Sequence, residues 1–255
     1  MTAATRPAAD YTVDAVDTAM ELLSIIAQAP GLGVTELGRR CGQTKARTFR
    51  LLWTLEQRGL VSRTAEDATY RLGYTALIWG TAAVAQNDLV RLAQPVLKQL
   101  GQDANETTKL RVCDGLECLT VAKWEPDREL RCHSLVGRRH PLRDEPGKLL
   151  LAYAAPEIQR DASAGLTAAA TRKLAEGLTR IREVGVNVTR REINGGHESV
   201  SIALPVFDQS GSIAACLALA APASRMDKAK IESLTLLTRA AARQLSGALG
   251  YRHRP

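Results

Sequence analysis

The sequence has few aromatic residues and no hydrophobic run long enough to cross a membrane. Aromatic residues make up 4% of the 255 residues, so alanine, leucine and valine must fill most of the interior. The two longest stretches without a charged residue, 72–87 and 209–224, have 16 residues each, which is below the length of a transmembrane helix. The first residues also lack a hydrophobic signal core. We therefore expect a cytoplasmic protein.

Motifs for catalysis and for metal binding are also missing. Gly147-Lys148 is followed by leucine and has no glycine five residues before Gly147, so it is not a P-loop. His197-Glu198 lacks the second histidine of a zinc-protease helix. The 5 cysteines are widely spread without C-x-x-C spacing, which is typical of free thiols in a reducing compartment. These absences predict a protein that is not an enzyme and holds no metal or other cofactor.

Positive charge is concentrated in one segment. The formal net charge is +7, and the segment from Val34 to Leu72 contains eight basic and four acidic residues. More than half of the excess therefore lies in this segment. A local basic excess on a small domain indicates a polyanionic partner. A solvated positive surface without a partner is the alternative interpretation.

The same segment has the pattern of a winged helix-turn-helix domain. After a disordered leader over residues 1–12, the spacing of apolar residues predicts helices over 13–27, 36–41 and 45–58. Thr35 and Thr44 are the expected N-caps of the second and third helices. Alternation over residues 60–64 and 69–72 then predicts a β-hairpin. Helices followed by such a hairpin are typical of a winged DNA-binding domain.

Residues 73–87 form an almost uncharged helical stretch. Its large apolar residues are Leu77, Ile78, Trp79 and Val84. A helix of this composition must be covered by another surface.

The rest of the chain predicts an α+β domain with a mostly antiparallel sheet. Strands are expected over 109–113, 117–124, 130–136, 186–190, 200–207 and 212–220, with Asp114-Gly115 as a hairpin turn. Helices are expected over 89–100 with Asp88 as N-cap, after Pro156, and over 147–155, 171–184 and 227–249.

Six groups of residues occur in the order found in one bacterial family. They are Val34-Thr35-Glu36-Leu37, the segment 50–61, Tyr70-Arg71-Leu72-Gly73, Asp114-Gly115, Gly147-Lys148 and Ala203-Leu204-Pro205-Val206-Phe207-Asp208. From Val13 to about Ala242 the chain resembles the isocitrate lyase regulator (IclR) family of bacterial transcription regulators. The resemblance implies a winged helix-turn-helix over 13–73, a linker helix over 74–88 that helps to dimerise, and a GAF-like effector-binding domain over 89–255.

Three segments depart from the family pattern. The third helix begins Lys45-Ala46-Arg47-Thr48 where the family usually has Lys-Ser-Thr-Val. Arg143-Asp144-Glu145-Pro146 replaces a stretch of small and polar residues, and Arg190-Arg191-Glu192 replaces an acidic cluster. The operator sequence and the effector of other members therefore do not transfer.

Candidate DNA-binding residues follow from the third helix and from the family's backbone contacts. They are Thr35, Thr44, Lys45, Arg47, Thr48, Arg50 and Arg71. We expect Arg47 to reach base edges, while Lys45, Arg50, Thr35 and Arg71 position the protein on phosphates. Solvated helix charges are the alternative.

Candidate effector-binding residues are Leu110, Val112, Arg143, Glu145, Arg191 and Ser201. The aliphatic ones also fit a plain core, and the arginines also fit a solvated surface. If Arg143 or Arg191 faces a cavity, a carboxylate effector follows, because a guanidinium binds a carboxylate through two parallel hydrogen bonds.

The sequence thus predicts a DNA-binding transcription regulator that binds a palindromic operator as a dimer or tetramer and responds to a small molecule. Leu77, Ile78, Trp79 and Val84 are the expected dimerisation residues. Two alternatives stay open. One is a small-molecule-binding enzyme or sensor whose winged domain binds a protein, and the other is a regulator without a ligand.

Overall fold

The computed structural model describes residues 11–193 and 197–252. Most of the expected leader, residues 1–10, lies outside the described residues. The boundary between two compact units falls between Gln86 and Asn87.

The amino-terminal unit is a winged helix-turn-helix, as the sequence predicts. Its elements are α1 Asp14–Gln28, β1 Leu32–Gly33, α2 Val34–Arg40, α3 Lys45–Gln57, β2 Val61–Arg63, β3 Thr69–Leu72 and α4 Tyr74–Gln86. The small antiparallel sheet has the order β1-β3-β2. Leu22 and Ile26 of α1 pack with Leu37 of α2 and Leu52 of α3 in one core. The short strand β1 was not expected from the sequence.

Glycine allows α2 and α3 to pack closely. A Cβ built on Gly38 would lie 2.9 Å from Oγ1 of Thr48, so a larger residue at position 38 would push the helices apart. Thr44 caps α3 as predicted, since its Oγ1 accepts from the N–H of Arg47 at 3.3 Å. The predicted cap at Thr35 is wrong. α2 begins two residues earlier, with Gly33 as N-cap, so Thr35 lies inside the first turn.

Helix α4 presents its apolar side chains to solvent. Leu77, Ile78 and Trp79 are 65%, 64% and 57% exposed, and Val84 is 46% exposed. None of the residues of α4 is buried within the part of the chain that the structure describes.

The carboxy-terminal unit is an α+β fold around an antiparallel sheet. Its helices are α5 Asp88–Ala104, α6 Lys148–Tyr153, α7 Pro156–Ala162, α8 Ala168–Val184 and α9 Lys228–Ala248. Its strands are β4 Thr107–Asp114, β5 Glu117–Trp124, β6 Arg139–Pro141, β7 Asn187–Ile193, β8 His197–Phe207 and β9 Ile213–Pro222. The sheet order is β6-β5-β4-β9-β8-β7.

Both faces of this sheet are covered by helices. On one face, α5 and α9 pack against alternate strand residues such as Leu110, Ile202 and Leu217. On the other face, α6 and α8 pack against Ala203 and Cys216. Because side chains alternate along a strand, neighbouring residues of β4 and β8 belong to different faces.

Two local predictions in this unit are wrong. Residues 130–136 do not form a strand, because their backbone groups bond to side chains and not to a neighbouring strand. Ser134 N–H donates to Oε1 of Glu125 at 2.8 Å, and the Cys132 carbonyl accepts from Thr107 Oγ1 at 2.7 Å. The cap of α5 is Asn87 rather than Asp88, since the Asn87 side chain accepts from the N–H of Val90 at 3.1 Å.

Across residues 11–193 and 197–252, no helix is long and apolar enough to cross a membrane.

Candidate functional sites

The first half of α3 presents positive charge to solvent. Lys45 and Arg50 are exposed, because the opposite side of the helix packs Leu52 and Leu55 into the core. Thr44, which precedes the helix, is exposed as well. Helix-turn-helix proteins enter the major groove with an exposed cationic helix that packs against a second helix.

Arg47 differs from these neighbours because it already has a partner. Its Nη2 donates to Oδ2 of Asp14, the first residue of α1. The two side chains remain 41% and 73% exposed, and an ion pair this exposed is worth only about 0.2–1 kcal/mol. Asp14 therefore orients Arg47 without removing it from the reach of a polyanion.

Thr48 does not belong to the DNA-facing residues. Its side chain is fully buried, at 0% exposure, and its hydroxyl donates to the carbonyl oxygen of Thr44 at 2.9 Å. The prediction that it contacts DNA is wrong, because the turn of α3 directs this position toward Gly38 of α2. Thr35 is exposed on α2.

The hairpin adds a cation beside these helices. Arg71 lies on β3 and is exposed, and its Nε donates to Oγ of Ser62 on β2 at 3.2 Å. A hairpin arginine held in this way is suited to a phosphate rather than a base.

Sequence reasoning missed an aromatic pair on α3. Phe49 and Trp53 are 45% and 55% exposed, and their ring centroids lie 6.5 Å apart. The signal was available in their spacing of four residues, which puts both on one side of the helix and away from the core positions. Exposed aromatic side chains beside Arg50 can make apolar contacts with thymine methyl groups in a major groove.

Two other basic residues of the segment share one carboxylate. Nε of Arg39 and Nε of Arg40 each donate to the carboxylate of Glu36 at 2.8 Å. These hydrogen bonds lower the pKa of Glu36 to about 2, so Glu36 stays ionised at neutral pH. Glu36, Arg39 and Arg40 together keep one net positive charge on α2, and the other positive charge available to a polyanion lies on α3 and the hairpin.

The carboxy-terminal unit contains a polar cavity with a volume of about 80 Å³. It lies on the sheet face that carries Ala203, opposite the face that packs against α5 and α9. Its polar lining comprises Lys109, Arg111, Thr189, Arg191, Ser199 and Ser201 from the strands, with His133 and Glu145 from the loops.

The structure divides the predicted effector residues into two groups. Glu145, Arg191 and Ser201 line the cavity. Leu110 and Val112 do not, because they point to the other face of the sheet, where Leu110 is in the core and Val112 packs against it. Arg143 is exposed and lies outside the lining.

Sequence reasoning missed the two most buried cations of the cavity, Lys109 and Arg111. Their signal was the alternation of β4: two charged residues flank Leu110 in a strand that is otherwise apolar or uncharged at its centre. Lys109 is 9% and Arg111 is 7% exposed. Burial, together with the positive charges of Arg111 and Arg191, lowers the pKa of Lys109 to about 7.

The thiols near this cavity are not activated. Burial raises the pKa of Cys118 to about 11 and that of Cys216 to about 12, so both are protonated and weakly nucleophilic at neutral pH. Among the described residues, no group of three or more histidine, cysteine, aspartate or glutamate side chains could hold a metal ion.

Two family models match the chain. The IclR helix-turn-helix domain matches residues 15–65, and the bacterial transcriptional regulator IclR C-terminal domain matches residues 81–247.

Relatives and solved structures agree with these models. The HTH-type transcriptional regulator BhcR of Paracoccus denitrificans is 30% identical over 92% of this chain and 86% of its own length. KdgR of Escherichia coli, also an HTH-type transcriptional regulator, is 29% identical over 96% of this chain and 97% of its own length. The crystal structure of Pseudomonas aeruginosa HmgR covers 94% of this chain and 100% of its own, with a TM-score of 0.76 and 25% identity. The winged domain with its cationic α3, the α+β domain and these matches together place the chain in the IclR family of bacterial transcriptional regulators.

Proposed function

We propose that the chain is a homodimeric transcription regulator, alone or as a pair of dimers, that binds a two-fold symmetric operator and responds to a small organic acid. In this proposal residues 13–73 bind DNA, residues 74–88 dimerise and residues 89–255 bind the effector. The chain works in the cytoplasm, as a regulator and not as an enzyme. The observation that carries the proposal is the exposed cationic end of α3.

The cations of the winged domain have separate roles. Arg47, oriented by Asp14, reads a base edge, and a guanine can accept both of its hydrogen bonds. Lys45, Arg50 and Arg71 neutralise phosphates and fix the register of α3 in the groove. Thr35 and Thr44 are exposed at the first turns of α2 and α3, where short polar side chains and backbone N–H groups can meet the DNA backbone.

Dimerisation follows from the composition of α4. Leu77, Ile78, Trp79 and Val84 leave a continuous helix without charge exposed, and contiguous apolar surface of this kind marks an interface. A second copy supplies an identical surface, so a two-fold axis through α4 covers both helices. The two copies of α3 then read half-sites about 34–36 Å apart, or one helical turn.

The salt dependence of DNA binding tests this proposal. The full-length protein is used to select its preferred 40-base-pair duplex from a random library, and the dissociation constant is measured from about 50 to 300 mM salt. The log–log slope of the association constant, the inverse of this dissociation constant, is expected to be about −0.9 for each phosphate contacted, and Lys45→Ala and Arg50→Ala should each make it shallower. A flat response would reject phosphate binding and would favour an enzyme or sensor whose winged domain binds protein.

A further inference from the structure

The cavity in the carboxy-terminal unit is lined by cations from two strands of the sheet. Lys109 and Arg111 project from β4 and are almost fully buried. Arg191 lines the cavity from β7, which lies at the far edge of the sheet order from β4, with β9 and β8 between them. Three positive side chains thus converge on one small space.

Lys109, Arg111 and Arg191 form no ion pair with a carboxylate of the described residues. The ionisable groups that shift the pKa of Lys109 most are Arg111, Cys132, Arg191 and Cys216. Neither cysteine supplies a negative charge at neutral pH, because burial raises the pKa of both thiols. Glu145 is the acidic residue of the lining, and its carboxylate is paired with Nζ of Lys148.

Arg111 also has unused hydrogen-bonding capacity. Its Nε is buried without a partner among the described residues, and its Nη1 makes one long contact, 3.4 Å, to the Pro146 carbonyl oxygen. A buried cation without a counterion is unfavourable, and removing the countercharge from a buried pair is strongly destabilising. A site that keeps two such cations side by side is arranged for a negative charge that comes from outside the chain.

We propose that the effector is a small dianion: either a dicarboxylate with one carboxylate on Lys109 and Arg111 and the other on Arg191, or a phosphate monoester whose phosphate group is held by the same cations. This inference rests on the proposed function, because it specifies the ligand of the proposed effector cavity. The planar fork of Arg111 suits an oxyanion with two acceptor oxygens, and the ammonium of Lys109 adds a point charge.

The size and polarity of the cavity limit the ligand further. A volume of about 80 Å³, at about 10–15 Å³ for each water position, holds roughly five to eight non-hydrogen atoms. The hydroxyl groups of Ser199 and Ser201 line the cavity from β8, which lies between β4 and β7, and Thr189 lines it from β7 beside Arg191. A hydroxyl or keto group on a short carbon chain fits beside these hydroxyl groups.

Isothermal titration calorimetry with the full-length protein at pH 7 tests the proposal. The probes are malonate, succinate, hydroxymalonate and ethyl phosphate, each paired with a monoanion of similar shape: the monoamide of each diacid, and ethyl sulfate for ethyl phosphate. At least one dianion is expected to bind at least tenfold more tightly than its matched monoanion. Tighter binding of a diacid or of ethyl phosphate shows whether the ligand carries two carboxylates or a phosphate.

Variants locate the site. Lys109→Met and Arg191→Gln should each weaken the bound dianion by about tenfold or more, whereas Arg143→Gln, outside the cavity, should not. Because the pKa of Lys109 is about 7 in the empty cavity, binding of the dianion should take up about half a proton. Titrations in two buffers of different ionisation enthalpy measure this uptake, which Lys109→Met should abolish.

Three results would overturn the proposal: equal affinity for dianions and monoanions, no binding of any dianion at about 10 mM, or unchanged binding in Lys109→Met and Arg191→Gln. DNA binding by the same wild-type preparation is measured separately. Intact DNA binding with any of these three results rejects the dianion alone, whereas a wild-type protein that binds no DNA rejects the proposed function.

Discussion

The candidate DNA-binding cations of the amino-terminal unit are exposed, whereas two cations of the candidate effector cavity in the carboxy-terminal unit are buried. Lys45 and Arg50 lie in solvent on α3, whereas Lys109 and Arg111 are buried in a cavity and form no ion pair with a carboxylate of the described residues. An exposed cation is fully hydrated and has little effect on stability, while a buried one loses its hydration.

The two arrangements suit different partners. Exposed cations on a slim helix suit a large polyanion, which releases counterions as its phosphates are neutralised. Buried cations suit a small anion that enters the protein and replaces the lost water. The difference between the two units therefore separates a DNA-binding surface from an effector site.

The largest effect is expected from breaking the proposed dimer, which separates the two exposed α3 helices. Leu77→Asp with Ile78→Asp puts charge into the apolar face of α4. Covering each of these side chains is worth about 1.5–3 kcal/mol, so the dimer dissociation constant should rise at least about a thousandfold. Sedimentation equilibrium measures it, and operator affinity should fall in parallel. Leu236→Asp is the matched control, since Leu236 on α9 is 68% exposed. Intact dimers with normal operator binding would contradict the role of α4.

The next largest effect separates the roles of Arg47 and Lys45 on α3. Arg47→Ala should weaken binding to the preferred duplex by about 1–3 kcal/mol, or roughly 5- to 150-fold, and relax the preference at one base pair. Lys45→Ala should weaken all sequences alike. Fluorescence anisotropy with matched and singly mismatched duplexes distinguishes the two. Equal losses for Arg47→Ala on every duplex would show that Arg47 only contacts phosphate.

Removing a buried cation should stabilise the ligand-free protein, in contrast to removing an exposed one. Lys109→Met is expected to add about 1–4 kcal/mol to the free energy of unfolding at pH 7 and below, and Arg143→Met, an exposed control, should change it little.

The stabilisation by Lys109→Met is expected to depend on pH. The pKa of Lys109 falls from 10.5 to about 7 on folding, so between these values the unfolded chain binds more protons than the folded one. Wild-type stability should therefore rise from pH 7 towards pH 10 relative to Lys109→Met. Urea unfolding at several pH values measures the difference. A difference that does not narrow with rising pH would show that Lys109 is not buried as a cation.

The smallest expected effect concerns the position of α3. Thr44→Ala removes the N-cap hydrogen bond to Arg47 N–H and should cost about 1 kcal/mol of stability, whereas Thr54→Ala in the middle of α3 should cost less. Thermal unfolding measures both. If the two variants lose the same stability, the cap does not hold the start of the helix.

The sequence predicts the element order well because most elements have one buried face. The apolar spacing of α1, α3 and α9 and the alternation of β2 and β3 are direct consequences of that burial. The segment 130–136 is predicted wrongly because its backbone groups bond to the side chains of Thr107 and Glu125, which lie outside the segment and leave no sign in its own alternation.

The effector site was harder to predict because both faces of the sheet are buried. On β4, alternation separates Leu110 and Val112 from Lys109 and Arg111, but it does not say which pair meets a cavity. The sequence analysis favours the aliphatic pair as lining residues, whereas the structure puts the charged pair there. Thr48 is predicted to contact DNA together with the cations of α3, but the helix turn directs it to the core.

Hydroxyl-radical footprinting of the full-length protein on its preferred duplex tests whether two α3 helices read the DNA as a pair. We expect two protected patches on one side of the DNA, with centres about one helical turn apart, and loss of both patches when Lys45, Arg47 and Arg50 are replaced together by alanine. A single patch, no protection, or an unchanged footprint in the triple variant would contradict a paired, α3-mediated reading of DNA.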